Sequence, residues 1–102
     1  MVNVCRISDK GKGTCTAGGS GSHTITGTLI TGAGTVYAEG QAVSRISDIV
    51  RGDDSHKEIA KVLEGSPSVF AEGLNVARIG DYFEGPRFKG RLLIGAATVY
   101  AE

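Results

Sequence analysis

Two full copies and two half-copies of one short text constrain this chain more than any other feature. Ser66-Pro67-Ser68-Val69-Phe70-Ala71-Glu72-Gly73-Leu74-Asn75-Val76-Ala77-Arg78-Ile79-Gly80-Asp81 has a near relative in Gly34–Asp48. The second half of the text opens the chain as Val4-Cys5-Arg6-Ile7-Ser8-Asp9, and the first half closes it as Thr98-Val99-Tyr100-Ala101-Glu102. Thr35 and Ser68 are 33 residues apart, and Ser68 and Thr98 are 30 apart. A period in this range marks a repeat architecture. Laying Val4 on Val76 puts Met1 on Gly73, so the last residue abuts the first without a gap in the repeat. A ring closed by one unit split between the two termini accounts for this, because closure removes open strand edges.

Each unit reads as a β-hairpin turning at a glycine such as Gly73. Val69 and Ala71 face one side, and Phe70 and Glu72 the other, with the period of two that marks a half-buried strand. After the turn, Ala77 and Ile79 share a face with the equivalents Ser44/Ile46 and Cys5/Ile7. Val76 and Arg78 fall opposite them. The closing Asp of each Arg-Ile-(Ser/Gly)-Asp corner is a turn residue that accepts backbone N–H bonds. A further strand is expected before each hairpin, at Leu29–Gly32, Val62–Gly65 and Leu93–Gly95. The fold class is therefore all-β: three pseudo-threefold repeats of short strands and hairpins in one small closed cone. The copies span about 24–48, 59–81 and 92–102 joined to 1–9. The spacers are 10–23, 49–58 and 82–91.

The spacers differ from one another. The first, rich in Gly, Ser and Thr, has the composition of a flexible linker, and no lysine follows its glycines as a phosphate loop requires. In the second, Ser55-His56-Lys57-Glu58 matches a capping box, with Ile59, Val62 and Leu63 at helical spacing behind it, so one helical turn is expected. The third, Tyr82–Lys89, reads as a packed aromatic loop.

Composition sets limits on function. Eleven basic and eleven acidic side chains give zero formal net charge, which argues against nucleic acid as a partner. No apolar run approaches the roughly 18–20 residues of a membrane-spanning helix. Met1–Arg6 lacks a signal-peptide layout, so synthesis in the cytoplasm is expected. Sixteen glycines and six aromatics leave a thin core, and a metal or partner commonly supports such a chain.

The pattern Gly-Ser-Pro-x-Val-Phe-x-x-Gly-x-x-Val-Ala-Arg-Ile-Gly-Asp at 65–81 resembles PAAR-repeat proteins. These are the small conical tips that cap the trimeric spike of contractile phage tails and of bacterial type VI secretion systems. The resemblance covers the whole chain. Two departures stand out: Ala42-Val43-Ser44-Arg45 and Asn75-Val76-Ala77-Arg78 replace the Pro-Ala-Ala-Arg string, and Ser8 and Ser47 replace glycine. The resemblance implies a cone seated by its base on a trimeric β-helical spike, one copy per trimer, with transient contact to a target membrane. It also implies a metal near the apex, held by histidines and a cysteine. With no effector extension past the repeats, a phage virion baseplate is the expected setting, ahead of a type VI spike.

His23 and His56 each lie nine residues before a repeat glycine, Gly32 and Gly65, and Pro86 takes that position in the third copy. Cys15 lies eight residues before His23. Cys15, His23 and His56 suit one zinc ion, or iron. The plainer reading is two exposed loop histidines and an unrelated cysteine, since the spacing matches no standard zinc motif; the resemblance favours the metal. The fourth ligand is left open among water, Asp53, Asp54 and Glu84. Cys5 is a lesser candidate, better read as a small buried residue. Arg6, Arg45 and Arg78, recurring with Asp9, Asp48 and Asp81, read as inter-unit bridges and not as catalytic groups. At the hairpin turns Tyr37, Glu39, Phe70, Glu72, Tyr100 and Glu102 are candidate contacts to the spike. The chain is thus expected to be a structural, membrane-piercing tip and no enzyme. A small zinc-dependent hydrolase or a zinc-binding module is the alternative.

Overall fold

A computed structural model describes residues 2–16 and 21–101. Glu102 and residues 17–20 of the first spacer lie outside the described residues. Six strands form a closed antiparallel barrel in the order β10 (Tyr82–Glu84), β11 (Phe88–Leu92), β2 (Lys10–Cys15), β3 (His23–Leu29), β6 (Ile49–Gly52) and β7 (Ile59–Val62), with β7 closing onto β10. Each repeat thus contributes one long hairpin to the barrel. Each also contributes one short hairpin: β4 (Tyr37–Ala38) with β5 (Gln41–Ala42), β8 (Phe70–Ala71) with β9 (Leu74–Asn75), and β12 (Tyr100–Ala101) with β1 (Val2–Asn3). In the last pair Val2 faces Ala101 and Asn3 faces Tyr100. The split repeat is real, and the ring closes through the termini.

The molecule measures 40 × 22 × 22 Å, one long axis and two equal short ones, as threefold repetition about an axis requires. Two cores stack along it. The barrel core holds Leu29, Val50, Val62, Phe83, Phe88 and Leu92. The base core holds Val4, Val43 and Val76 with alanines of the short hairpins. Between them Cys5 N–H donates to Ala77 O, Ala77 N–H to Ser44 O, and Ser44 N–H to Cys5 O, at 2.8–2.9 Å. This cyclic set of three bonds joins all three units around the axis. Strand alternation then sends Cys5, Ser44 and Ala77 toward the barrel and Val4, Val43 and Val76 toward the base. The first face lines the barrel core, and the second is equally buried at its valines, because a second core lies beneath it.

The corners match expectation in detail. In each, the Asp amide donates to the Arg carbonyl three residues back at 3.0 Å, while the Asp carboxylate accepts from the Arg amide at 2.7–2.8 Å. The residue before each Asp has positive φ: Ser8 at 81°, Ser47 at 78° and Gly80 at 91°. That is the third position of a type II turn, where glycine avoids the Cβ clash. Both serines are exposed. Ser8→Gly and Ser47→Gly are therefore expected to stabilise the fold by about 1 kcal/mol each, raising the melting temperature by several degrees. A drop in melting temperature for either variant would contradict the turn assignment.

The spacers depart from expectation. Lys10–Cys15 is a barrel strand, not a linker; Tyr82–Glu84 and Phe88–Leu92 are paired strands, not a packed loop. No helical turn forms at Ser55–Glu58: a turn there joins β6 to β7, and pairing with β6 puts Ala60 and Val62 inward and Ile59 and Lys61 outward. The strands expected at Leu29–Gly32, Val62–Gly65 and Leu93–Gly95 lie earlier instead, as β3, β7 and β11, which end at Leu29, Val62 and Leu92. The glycines of β2 and β11 let the barrel be this narrow. Gly13 and Gly90 are register partners, and a Cβ on either would stand 2.1 Å from the carbonyl oxygen of Lys89 or Lys12. Filling is unequal at the positions two past each corner Asp, where Gly11, Val50 and Phe83 are equivalent. Phe83 packs on Phe88 with ring centroids 5.0 Å apart and occupies the space that Gly11 leaves.

Candidate metal centre

At the barrel end remote from the base, β2 and β3 pair through Cys15 opposite His23. The pairing of β3 with β6 sets Gly27 against Gly52, and this brings the turn that follows β6 over the same end. That turn carries Asp54 and His56. Cys15, His23, Asp54 and His56 each offer a ligand atom, and the four atoms lie within 4.8 Å of one another. The three residues proposed from sequence are thus adjacent, and the structure singles out Asp54 from the three carboxylates left open. Among those, Asp53 is occupied elsewhere, accepting from Thr26, Thr28 and Lys10. Pro86, which offers no donor, stands at the third-copy position, and Asp54 is the further candidate donor beside the three.

His23 Nε2 and His56 Nδ1 converge on one oxygen of Asp54, at 3.0 and 3.1 Å. Their hydrogen bonds, that of His23 first, hold the Asp54 carboxyl down to about 2, so it is anionic wherever the imidazoles are neutral and able to ligate. Cys15 is fully buried, whereas His23 is exposed. Two imidazole nitrogens, a thiol and a carboxylate make a donor set suited to zinc, which takes four such ligands at about 2.0–2.3 Å. The donor set and its mutual distances fit one small tetrahedral ion, which would replace the histidine–carboxylate hydrogen bonds. Iron accepts the same donors less selectively.

Cys5 is not in this cluster: it belongs to the barrel core, with no exposure. Its thiol donates to Ile94 O at 3.2 Å, as the equivalent Ser44 hydroxyl donates to Thr31 O at 2.9 Å. Burial, then the negative charges of Asp9 and Asp81, push its thiol well up. It behaves as the small buried residue that sequence suggested.

At the opposite end the three short hairpins present Tyr37, Phe70 and Tyr100, exposed to 61%, 55% and 48%. Val36, Val69 and Leu74 add apolar surface beside them. Glu39 and Glu72 sit at the turns with φ of 53° and 55°, each followed by a positive-φ glycine, as two-residue type I′ hairpins demand. Their carboxylates are engaged within the chain. Glu39 accepts from the Thr98 amide and hydroxyl and from Arg6 Nη1; Glu72 accepts from Thr35 and Arg45 in the same way. The Arg and Thr of one unit thus clasp the Glu of the next. Hydrogen bonds from Thr98 and Thr35, foremost, hold both carboxyls below the usual range. The arginines fork onto their own corner Asp as well, so the bridges run both within and between units.

A family model described as the PAAR motif matches residues 18–84, about two-thirds of the chain. The chain belongs to the PAAR-motif family. No curated protein matches it. The matched segment includes His23, Asp54 and His56, with Cys15 just ahead of it. Family membership supports a spike-tip role in contractile injection systems, a structural role alongside a spike protein. The all-β closed barrel agrees with the small cone of PAAR proteins.

Proposed function

We propose that this PAAR protein caps a trimeric β-helical spike, one copy per trimer, with its base on the spike and its barrel leading into the target membrane. The observation that carries this reading is the cyclic bond set through Cys5, Ser44 and Ala77. It makes one chain threefold to its backbone, so three like hairpins can meet three identical subunits at once. Tyr37, Phe70 and Tyr100 are the anchors: large exposed rings, one per repeat, on a face whose charged turns are already neutralised internally. Glu39 and Glu72 contribute by fixing those turns. The work is mechanical. A closed barrel has no strand edge to open, and one zinc ion on Cys15, His23, Asp54 and His56 would tie the leading ends of β2 and β3 to the β6–β7 turn.

The arrangement does not favour a hydrolase. Four protein donors fill the coordination of a structural zinc, whereas a catalytic zinc keeps a position open for water. The recurrent Arg and Asp residues, the other catalytic candidates, are spent on the corners. Whether the setting is a phage baseplate or a type VI tip follows from which spike it binds. The test is a Tyr37→Asp/Phe70→Asp double variant. Spike affinity is expected to fall on the order of 100-fold, with metal content unchanged. Undiminished binding would move the interface away from the hairpins.

A further inference from the structure

Zero net charge conceals an uneven distribution along the axis. In the base, Arg6, Arg45 and Arg78 are each tied to carboxylates. Along the barrel strands the charged side chains that alternate outward are Lys10, Lys12, Arg51, Lys61, Lys89 and Arg91, with Glu84 the one acidic strand residue. The carboxylates of Asp53 and Glu64 reach the wall from the strand ends. β3 adds only threonines outward, Thr24, Thr26 and Thr28. Lys12, Arg51, Lys61 and Lys89 are exposed, and no ion pair forms on them among the described residues, whereas Lys10 and Arg91 reach Asp53 and Glu64. Lys12 and Arg91 are direct cross-strand partners. Like charges so placed cost stability; Glu64 meets Arg91, and an external anion beside Lys12 would offset the rest.

The cations come from β2, β6, β7 and β11, so they surround the barrel and do not form one face. A duplex or an acidic protein would touch one side of such a body; a bilayer penetrated by it touches every side. We propose that this collar binds the phosphate-bearing head groups of an anionic bilayer as the barrel enters it. The inference rests on the tip reading above and adds the chemistry of the surface that the tip meets. Lysine and arginine suit the task, since their aliphatic stems lie along apolar surface while the charge stays at head-group level. Each such cation near an anionic surface strengthens attachment several-fold, and the effect decays within a Debye length.

The experiment is flotation of the metal-loaded chain with vesicles of phosphatidylglycerol and phosphatidylcholine in equal parts, or of phosphatidylcholine alone. The mixed vesicles are expected to bind the protein at 0.1 M salt and to release it at 1 M. In Lys12→Gln/Lys61→Gln/Lys89→Gln, whose lysines hold no ion pair among the described residues, partition should drop on the order of 100-fold. Arg51→Gln, elsewhere on the wall, should weaken it several-fold and guards against one misfolded variant. Equal partition onto both vesicle types, or no loss in the triple variant, would overturn the proposal. So would full displacement by duplex DNA at equal phosphate concentration. The triple variant should still bind the trimeric spike, and the Tyr37→Asp/Phe70→Asp variant should still float. Loss of lipid binding with spike binding intact in the wild-type chain sinks only this inference; the reverse sinks only the tip.

Discussion

His56→Ala is expected to take the metal content from one ion per chain to near zero and to lower the melting temperature by roughly 10–20 °C at saturating metal. The size follows from linkage: a metal present at about 100 times its dissociation constant stabilises by about 2.7 kcal/mol, and each kcal/mol moves a domain of this length by about 4–8 °C. His56 comes from the β6–β7 turn, and Cys15 and His23 from β2 and β3, so its loss unties one repeat from the other. Strand content should persist, because His56 belongs to neither core and takes no part in the cyclic bond set. Elemental analysis and a melting curve check it. Unchanged loading would remove His56 from the centre. Asp54→Ala should weaken metal binding in the same assay, as it takes away the further candidate donor beside the three.

A larger structural loss is expected from Gly90→Ala. Its methyl would stand 2.1 Å from Lys12 O and 2.4 Å from the Gly13 Cα, both backbone atoms that cannot rotate away. The barrel would have to open between β11 and β2, so stability should fall by more than about 4 kcal/mol and soluble protein should become scarce. The neighbouring outward change Lys89→Ala should cost within about 0.5 kcal/mol. Denaturant midpoints of the two variants separate the cases. Equal midpoints would mean that the strands do not approach closely at Gly90.

These glycines also show what the sequence could and could not convey. Repetition made the ring, its split unit and the Arg-x-x-Asp corners legible, because equivalent positions with equivalent residues repeat the same local physics. The barrel wall was illegible for the opposite reason. In Lys10-Gly11-Lys12-Gly13 the inward positions are glycine, so the usual alternation of apolar and polar residues is missing and the stretch passes for a linker. Ser55–Leu63 carried a helical pattern that lost to pairing with β6, which offers Ala60 and Val62 a buried face. His23 and His56 stand at equivalent places in two repeats, whereas Cys15 was a candidate only by its spacing to His23 and by the family resemblance. Asp54 could not be chosen over Asp53 or Glu84, since its role depends on which strands become neighbours. Glu39 and Glu72 were visible as recurrent, but their clasp to Arg and Thr of the adjacent unit needed the folded ring.

Native mass spectrometry of the chain mixed with a trimeric β-helical spike tests the central claim most directly. A complex of one chain, one zinc ion and three spike subunits is the expected result. Three chains per trimer, or a metal-bound chain that ignores every spike trimer, would contradict it.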